Sequence, residues 1–406
     1  MNELYEENPS NVRDAEIVVG IPSYNKPKGI TLPTEKADEG LVEFFPNRKS
    51  VILNCASHSD DGTKEAFLGV RTEVPKIYLA TGEAVTGKGN SLRNLFRKAV
   101  ELKARAVLVV DADPSSITPR WIKNLGDPLF RNFGFVSPLY LHHRFEETFT
   151  NNIAYPLVRT LYGRRVRQPL GGDVGFSGEL ARLYLENRPW DERISHMGID
   201  IWMITLAITH GVPICQSFMG RPKEQKPKDP AADLGPTFDE VVGTIFTMMG
   251  HYEAKWRSIK WSKPTAIFGF GQGQMETIPD VQVDKKSLYT RFTRGAEMMI
   301  DRWKTILAPE VFSKLTEVAE IGEERFDFPT ELWAKILFDY AVAFRRGGRE
   351  AHSLFDSLLP LYYGRALSDV NKVEVMSTQQ AEEYVEDQCL VFEEAKPYLL
   401  RRWDER

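Results

Sequence analysis

Two aspartates that directly follow an apolar run could together hold a metal ion. Asp111 and Asp113 end the stretch AVLVVDAD, which has the composition of a buried strand. Alternate residues of a strand point to the same face, so the two carboxylates would lie side by side. Like charges this close repel unless a cation lies between them, and hard oxygen ligands suit Mg²⁺ or Mn²⁺. One Asp could instead cap a helix beginning near Thr118, but capping explains one carboxylate and not two.

A lysine between two glycines, upstream of the aspartates, could bind phosphate. From Gly82 the sequence has the P-loop spacing G-x-x-x-x-G-K, but Gly89 stands where a P-loop has its Mg²⁺-binding Ser or Thr. An apolar run (PKIYLA) leads in and an amphipathic segment (SLRNLFRKAVELKA) leads out, as a strand-loop-helix requires. We expect Lys88 to be flexible and exposed, and able to lie along a diphosphate. An ordinary surface turn is equally consistent with Gly-Lys-Gly.

Two more sites each have a functional and a structural interpretation. The turn RQPLGGD contains Gly171 and Gly172, whose bare amides can approach a small anion closely. A tight turn that needs positive φ explains the same residues. Asp200 precedes the apolar segment IWMITLAI, where the default role of an Asp is to cap the helix. The residues of each site are consistent with both the functional and the structural interpretation.

A sheet must position these side chains. The first half of the chain alternates β-rich runs with helical patterns, which predicts an α/β fold with a mostly parallel sheet. Such a sheet binds ligands beyond the carboxyl ends of its strands, where Lys88 and Asp111 fall. The predicted strands are EIVVGIPSYN, KSVILNCAS, KIYLAT, ARAVLVVDAD and NFGFVSPLYL.

The remainder of the chain has mainly helical patterns. Residues 153–208 are predicted helical apart from the glycine-rich turn RQPLGGDVGFSGEL, and the charged, proline-rich residues 220–236 are predicted to be a loop. After Phe238 the segments are helical and rich in aromatic residues. We therefore expect a catalytic sheet domain over residues 1–235 and a mainly helical C-terminal region over residues 236–406, which could complete the acceptor side and form an oligomer interface.

Composition excludes several classes of function. The 406 residues are 42% hydrophobic and 27% charged, as in globular domains, and the net charge of −5 gives no footprint for nucleic acid or a membrane surface. The acidic N-terminal stretch lacks the features of a signal peptide. The three cysteines, Cys55, Cys215 and Cys389, have no metal-ligand spacing, so we expect buried thiols and a cytoplasmic protein.

Five motifs in order resemble those of the retaining GT-A glycosyltransferases, specifically the mannosylglycerate, glucosylglycerate and glucosyl-3-phosphoglycerate synthases. They are IVVGIPSYN, TGKGNSL, VVDADPSSITPRWI, RQPLGGDVGFSGELA and MGIDIWM, and they span roughly the first half of the chain. The resemblance implies a GT-A sheet domain with a helical C-terminal extension. It also implies a nucleotide-diphosphate sugar donor, a divalent cation (Mg²⁺ or Mn²⁺) and transfer with retention of the anomeric configuration.

The resemblance assigns roles to single residues. Asp113 would hold the metal, and Asp200 would lie beside the donor sugar and the acceptor hydroxyl. Lys88 would meet the base or the diphosphate, and Asp111 the ribose side. The donor-binding positions together would be Pro22, Ser23, Tyr24, Asn25, Lys88, Asp111 and Ala112. The backbone presented to the acceptor would be that of Leu170, Gly171 and Gly172.

Two positions depart from the family pattern. Family members place a metal-binding His after the apolar helix, and alignment puts Gln225 there, with Asp229 as a nearby substitute. The phosphoglycerate-using enzymes carry an Arg where this chain has Thr148, which weakens the case for a phosphorylated acceptor. Arg144 and Thr150 remain candidates to bind a carboxylate.

Together these patterns predict a metal-dependent hexosyltransferase that acts on a small hydroxy acid. D-Glycerate is the expected acceptor and 3-phosphoglycerate the alternative, and the product would be a compatible solute or a precursor of a larger glycoside. The donor could be a GDP-, UDP- or ADP-hexose, and the sugar glucose or mannose. A homodimer is plausible from the apolar helical region. A P-loop nucleotide switch and a catalytically weakened sugar-nucleotide-binding protein are the alternatives from other classes.

Overall fold

The computed structural model describes residues 4–83, 85–112, 115–223, 234–269, 281–347 and 351–405. The chain divides into two compact units. The sheet unit comprises residues 1–141, 166–226 and 264–278, and the helical unit comprises residues 142–165, 227–263 and 279–406. Both units are discontinuous along the chain, whereas the sequence pattern places a single boundary near residue 235.

A mixed sheet organises the sheet unit. Its strands in the described residues are β1 (Tyr5–Glu7), β2 (Ile17–Ser23), β3 (Ser50–Ala56), β4 (Lys76–Ala80), β5 (Ala106–Val109), β6 (Phe135–Leu141), β7 (Val174–Ser177), β8 (Ile214–Pro222) and β9 (Ala266–Phe268). Their order is β1-β4-β3-β2-β5-β7-β6-β8-β9. Strands β4, β3, β2 and β5 pair in parallel, as do β6, β8 and β9. Strand β7 is antiparallel to both of its neighbours, and β1 is antiparallel to β4.

Helices occur in both units. In chain order they are α1 (Thr31–Phe44), α2 (Thr63–Gly69), α3 (Lys88–Glu101), α4 (Pro119–Gly126), α5 (Tyr155–Tyr162), α6 (Gly178–Glu186), α7 (Glu192–Ser195), α8 (Ile199–Thr209), α9 (Pro236–His251), α10 (Glu253–Trp256), α11 (Lys285–Ile306), α12 (Pro309–Ala319), α13 (Thr330–Gly347), α14 (Ala351–Val373) and α15 (Thr378–Asp404). There are also 3₁₀-helices at Asp127–Arg131 and Glu323–Arg325 and a π-helix at Thr150–Ala154. Helix α5 and helices α9 to α15 belong to the helical unit.

Burial explains the composition of the central strands. Every residue of β2 is buried, and so is every residue of β3 after the first. Parallel strands covered on both faces have this continuous apolar character. Strand β2 contributes Ile17 and Val19 to the core, and helices α1 and α4 contribute Leu41, Trp121 and Ile122. The carboxyl ends of the strands lead into the loops that carry the polar motifs.

The five predicted strands are confirmed as β2 to β6, and the α/β class with them. The expectation of a glycine-rich turn over RQPLGGDVGFSGEL is wrong at Val174–Ser177, which forms β7 between β5 and β6. Four residues are too few to show a period, so the pairing partners decide this segment. The predicted loop at 220–236 is wrong at its start, because residues 220–222 end β8. Residues 224–233 lie outside the described part of the chain.

A buried lysine anchors α15 in the helical unit. Lys396 donates hydrogen bonds to the carbonyl oxygens of Thr160, Trp256 and Ile259 at 2.8, 2.7 and 2.7 Å. These acceptors lie in α5, at the end of α10 and in the loop after it. One ammonium group therefore satisfies three backbone acceptors and ties three segments together.

The cysteines have the state that the sequence predicts. Cys55, Cys215 and Cys389 are all buried free thiols, as expected. Among the described residues, no helix combines the length and the apolar character needed to cross a membrane.

Candidate active site

Three of the predicted site residues lie together beyond the carboxyl ends of the central strands. Lys88 opens α3 after β4, Asp111 follows the end of β5 by two residues, and Asp200 lies in the first turn of α8. Lys88 Nζ is 3.0 Å from Asp200 Oδ2 and 3.8 Å from Asp111 Oδ1. Residues from three separate motifs therefore form one ion-paired cluster.

Lys88 is not the flexible, exposed side chain that its flanking glycines suggest. Gly87 adopts a φ of 108° and Lys88 begins α3, so the stretch is a strand-to-helix turn. The Lys88 side chain is only 13% exposed. Burial lowers the pKa of Lys88, but the Asp200 and Asp111 carboxylates outweigh it, and the pKa is raised above that of a free lysine. The expectation of an exposed lysine is wrong, because tertiary contacts enclose it between two carboxylates.

The packing around this turn argues against a P-loop. A Cβ built at Gly89 would lie 2.0 Å from the carbonyl oxygen of Ile194, and one built at Gly87 would lie 2.3 Å from that of Ser195. Both neighbours are backbone atoms, which cannot move aside as a flexible side chain can. The Ser or Thr that a P-loop requires has no room at position 89.

Asp200 does not have its default structural role. The N-cap of α8 is Gly198, and no side chain caps the helix. The Asp200 side chain is 7% exposed and accepts a hydrogen bond from Lys88. Burial raises the pKa of Asp200, and the ion pair with Lys88 opposes that increase. A buried carboxylate held by one lysine at a sheet edge is suited to act on a bound substrate.

Asp111 is held by its backbone and shared between two lysines. Its N–H donates to Asp173 Oδ1 at 2.6 Å, and its Oδ2 accepts from Lys223 Nζ at 2.6 Å. The following helix, α4, has Thr118 as its N-cap and no side-chain cap, so Asp111 does not cap it. The Asp111 carboxylate therefore faces charged partners from two other segments.

The sequence reasoning missed three residues that complete the cluster: Asp173, Lys223 and Tyr140. Asp173 is fully buried; it accepts a hydrogen bond from the Tyr140 hydroxyl and lies 3.0 Å from Lys223 Nζ. Burial raises the pKa of Asp173, and Lys223 opposes the increase. Asp173 could have been found, because it ends the RQPLGGD motif. Lys223 carried no signal beyond following the last residue of β8.

The glycine turn has the backbone conformation that its structural interpretation requires. Gly172 has a φ of 80°, which a tight turn needs, and a Cβ there would lie 2.5 Å from Asp111 Oδ2. The Gly171 N–H donates to the Gln168 carbonyl, and the Gly171 carbonyl accepts from Lys223. Leu170 is half-buried beside them. The turn therefore lies against the charged cluster.

The residues predicted to frame the nucleoside follow β2. The Ser23 hydroxyl is buried and hydrogen-bonded to the Asn54 side chain, whereas Tyr24 is 55% exposed. Asn25 has a φ of 51°, and its N–H donates to Ser59 Oγ. Pro22 and Ala112 are buried. Tyr24 is thus the side chain of this group that presents an aromatic face to solvent.

Three predicted acceptor residues lie in the helical unit. The Thr148 hydroxyl is 3.1 Å from the Tyr362 hydroxyl, and Thr150 Oγ1 donates to Glu147 Oε2 at 2.6 Å. The Arg144 guanidinium lies over the Phe145 ring at 5.0 Å. Both threonines are buried. All three side chains thus have contacts within their own unit.

The remaining predicted residues concern the metal. Asp113, Gln225 and Asp229 all lie outside the described residues. Within the described ranges, no group of three or more His, Cys, Asp or Glu side chains is placed to hold a metal ion.

Comparison with known proteins gives structural likenesses only. No protein-family model matches the chain, and no curated protein matches it significantly. It is similar to glucosyl-3-phosphoglycerate synthase from Mycobacterium tuberculosis in complex with Mn²⁺, uridine-diphosphate and glucosyl-3-phosphoglycerate: the sequences are 22% identical, the match covers 58% of this chain and 80% of that chain, and the TM-score is 0.43.

The same enzyme in complex with Mg²⁺ and uridine-diphosphate is 21% identical over the same shares of both chains, with a TM-score of 0.45. In complex with phosphoglyceric acid it is 20% identical, again over 58% and 80% of the two chains, with a TM-score of 0.43. Likenesses of this degree do not transfer an activity, so the function of this chain has to be argued from its own residues.

Proposed function

We propose that this chain is a metal-assisted, retaining glycosyltransferase that moves a hexose from a nucleotide-diphosphate sugar to a small hydroxy acid. The observation that carries the proposal is the ion-paired cluster of Lys88, Asp111 and Asp200 at the carboxyl edge of the sheet. This edge is where open α/β sheets bind their ligands. The alternative P-loop switch has no room for a hydroxyl residue at Gly89.

The nucleoside would bind at the end of β2. Tyr24 is the exposed aromatic side chain there and could stack on the nucleobase, since every base offers a π-face. Asp111 would take the ribose side, and Ser23 and Asn25 would shape the wall of the site. Stacking does not select among the bases, so UDP-, GDP- and ADP-hexoses are all candidates.

The proposed cation is Mg²⁺ or Mn²⁺, with Asp113 as its ligand and Gln225 or Asp229 as a further one. The charge of the described cluster fits a cation, because its carboxylates outnumber its ammonium groups. The carboxylates are Asp111, Asp173 and Asp200, and the ammonium groups are Lys88 and Lys223. When bound, the cation would neutralise the charge that develops on the leaving diphosphate.

The transfer step needs no covalent nucleophile. The acceptor hydroxyl oxygen forms a bond to the anomeric carbon while the bond from that carbon to the phosphate oxygen breaks. The departing phosphate oxygen takes the hydroxyl proton, and attack on the same face retains the configuration. Asp200, held 3.0 Å from Lys88 Nζ, would orient the hexose and the acceptor hydroxyl.

The acceptor would approach the turn of Leu170, Gly171 and Gly172. We propose D-glycerate as the first candidate, because Thr148 stands where the phosphoglycerate-using enzymes have an arginine. 3-Phosphoglycerate is the second, since phosphoglyceric acid is bound in a comparison structure. Arg144, Thr148 and Thr150 remain the proposed acceptor-binding side chains.

A product assay tests the proposal. The full chain is incubated with Mn²⁺, each of the nucleotide hexoses and either D-glycerate or 3-phosphoglycerate. Mass spectrometry detects the hexosylated acid, and NMR reports its anomeric configuration. We expect one donor and acceptor pair to give a product with the configuration of the donor.

Other outcomes would support the alternatives. Donor binding without turnover for any acceptor would indicate a sugar-nucleotide-binding protein. Hydrolysis of nucleoside triphosphates would favour the P-loop switch. A product of inverted configuration would overturn the same-face step while leaving the donor class in place.

A further inference from the structure

An arginine cluster, formed by Arg93, Arg97 and Arg188, lies where α3 faces the loop between α6 and α7. Arg93 and Arg97 are four residues apart on α3 and therefore share one face of the helix. Arg188 lies in the loop, and the guanidinium carbon of Arg93 is 4.7 Å from the centre of the Trp190 ring in the same loop. Arg97 and Arg188 are exposed, and Arg93 is half-buried. All four residues belong to the sheet unit.

The loop that carries Arg188 has a fixed backbone. Trp202, a buried residue of α8, donates a hydrogen bond from its indole N–H to the Pro189 carbonyl oxygen at 2.8 Å. The Trp190 ring packs edge-on against the Trp202 ring, with the ring centres 5.3 Å apart. The position of Arg188 beside α3 is therefore set by the contacts of the two residues that follow it.

The positive charge of the arginine cluster is not compensated. Within the described part of the chain, no carboxylate forms an ion pair with any of its three guanidinium groups. Arg97 donates a hydrogen bond to the neutral Asn94 side chain at 3.1 Å, whereas Arg159 in the helical unit has the Glu393 carboxylate at 2.8 Å. Burial lowers the pKa of Arg93, and the charges of Arg97 and Arg188 lower it further. The neighbours of Arg93 thus add positive charge to its surroundings.

The carboxylates best placed in sequence to pair with these arginines have other partners. Glu101, one turn after Arg97 on α3, forms an ion pair with Lys98 at 2.8 Å. Asp191, three residues after Arg188, caps the N-terminus of α7 with its side chain. The fold therefore keeps three like charges close together, an arrangement that is unfavourable unless an anion binds to them.

A phosphate group suits this arrangement. The guanidinium fork matches two oxygens of a phosphate, and charge-assisted hydrogen bonds of this kind are among the stronger polar contacts. A phosphate dianion would balance two of the three positive charges, whereas a carboxylate would balance only one. The Trp190 ring already holds the Arg93 guanidinium by a cation–π contact, so less of its conformational freedom remains to be lost on binding.

We propose that the arginine cluster binds the phosphate group of a small phosphorylated molecule, or the free phosphate ion, at a site that contains none of Lys88, Asp111 and Asp200. This inference goes beyond the proposed function, since the transfer step uses none of the three arginines. The fold nonetheless connects the two sites. Lys88 begins α3, and Asp200 lies on α8 together with Trp202. A phosphate that joins α3 to the loop would therefore hold the elements that carry the ion pair of Lys88 and Asp200.

Isothermal titration calorimetry of the full chain with inorganic phosphate and with glucose 6-phosphate tests the proposal. Chloride keeps the ionic strength constant, so that charge screening alone gives no signal. We expect saturable binding of at least one probe. Arg93→Gln and Arg188→Gln should each weaken it by about 10- to 100-fold, the effect of losing one charge-assisted contact. Arg71→Gln, which removes an exposed arginine in the loop after α2, is the matched control and should bind as the wild type does.

Thermal unfolding in the absence of phosphate controls for the fold. Removing one of three like charges relieves repulsion, so Arg188→Gln should have the Tm of the wild type or a higher one. A lower Tm in this variant would show that the folded chain itself compensates the Arg188 charge, and it would overturn the proposal.

The outcomes identify the source of the phosphate and separate the two proposals. Tighter binding of glucose 6-phosphate would support a phosphorylated molecule, and tighter binding of inorganic phosphate would support the free ion. Binding of neither probe, or equal affinity in the wild type and Arg188→Gln, would overturn the site. No nucleotide sugar is present in these titrations, so the glycosyltransferase proposal is tested separately by its product assay.

Discussion

Gly89→Ser would complete the P-loop spacing, and the structure predicts that it destabilises the protein. The new Cβ would lie 2.0 Å from the Ile194 carbonyl oxygen and 2.8 Å from the Ser195 backbone. Real Cβ atoms do not come within 3 Å of such atoms, so α3 or the backbone at 194–195 must shift by about 1 Å. Overpacking of a rigid site costs about 1–3 kcal/mol, and backbone neighbours place this substitution near the upper end.

The assay is thermal unfolding of the full chain, followed by circular dichroism. For a unit of this size, about 3 kcal/mol corresponds to a decrease in Tm of roughly 6–12 °C. Gly69→Ser is the matched control, because a Cβ at Gly69 meets nothing within 4 Å. It should change Tm by much less. Donor binding should also weaken in Gly89→Ser, since Lys88 is the adjacent residue.

A contrary result has a clear meaning. If Gly89→Ser has the Tm of the wild type and gains affinity for Mg²⁺ and a nucleoside triphosphate, the backbone contact at Ile194 is not present and the P-loop interpretation is correct. If both serine variants are equally destabilised, the contact at Ile194 is not the cause of the loss, since serine has a higher helix propensity than glycine and the open site at Gly69 should tolerate it.

Three further predictions follow from the site and the core. Asp200→Asn should lower kcat by at least about 100-fold, because we propose that this carboxylate acts on the substrate. It should also lower Tm, because the buried Lys88 ammonium loses its closest carboxylate. Unchanged kcat of the folded variant in a steady-state assay would leave Asp200 with a structural role only. Gln225→His should increase the affinity for Mn²⁺ and raise the initial rate at limiting metal. The gain should be smaller below neutral pH, because the imidazole protonates near pKa ~6.5. Superimposable Mn²⁺ titrations of the two proteins would place Gln225 away from the metal. Lys396→Met should cost about 3 kcal/mol or more in urea unfolding, since three buried carbonyls lose their donor. Burial lowers the pKa of Lys396 to about 8 from its ordinary value of 10.5. Between these two pH values the unfolded chain therefore holds a proton that the folded chain has lost. The free energy of unfolding should rise with pH in this window for the wild type and not for Lys396→Met.

The sequence by itself determined five strands of the sheet and one side of the site. Strands β2 to β6 follow from continuous apolar runs, because strands buried on both faces need little polar surface. It also placed Asp111 and Lys88 after the ends of strands, because a strand and the residues that follow it are recognised from local sequence. The position of Asp200 at the start of α8 came from the same source, although its role did not.

Tertiary structure alone decided which charges meet. Lys88 and Asp200 are 112 residues apart, and so are Asp111 and Lys223. An exposed Gly-Lys-Gly turn and an enclosed ammonium have the same local sequence, so periodicity and spacing cannot separate them. The difference lies in the backbone of Ile194 and Ser195, which packs against the turn.

Strand β7 and Lys223, the lysine after β8, also could not be predicted from local sequence. Val174–Ser177 is a strand because β5 and β6 flank it, and Asp173 becomes buried because β7 carries it into the sheet. A buried carboxylate is stable only with a partner, and Lys223, the residue after β8, supplies one. Charge pairing in a low-dielectric interior depends on distances of a few ångströms, which only the folded chain sets.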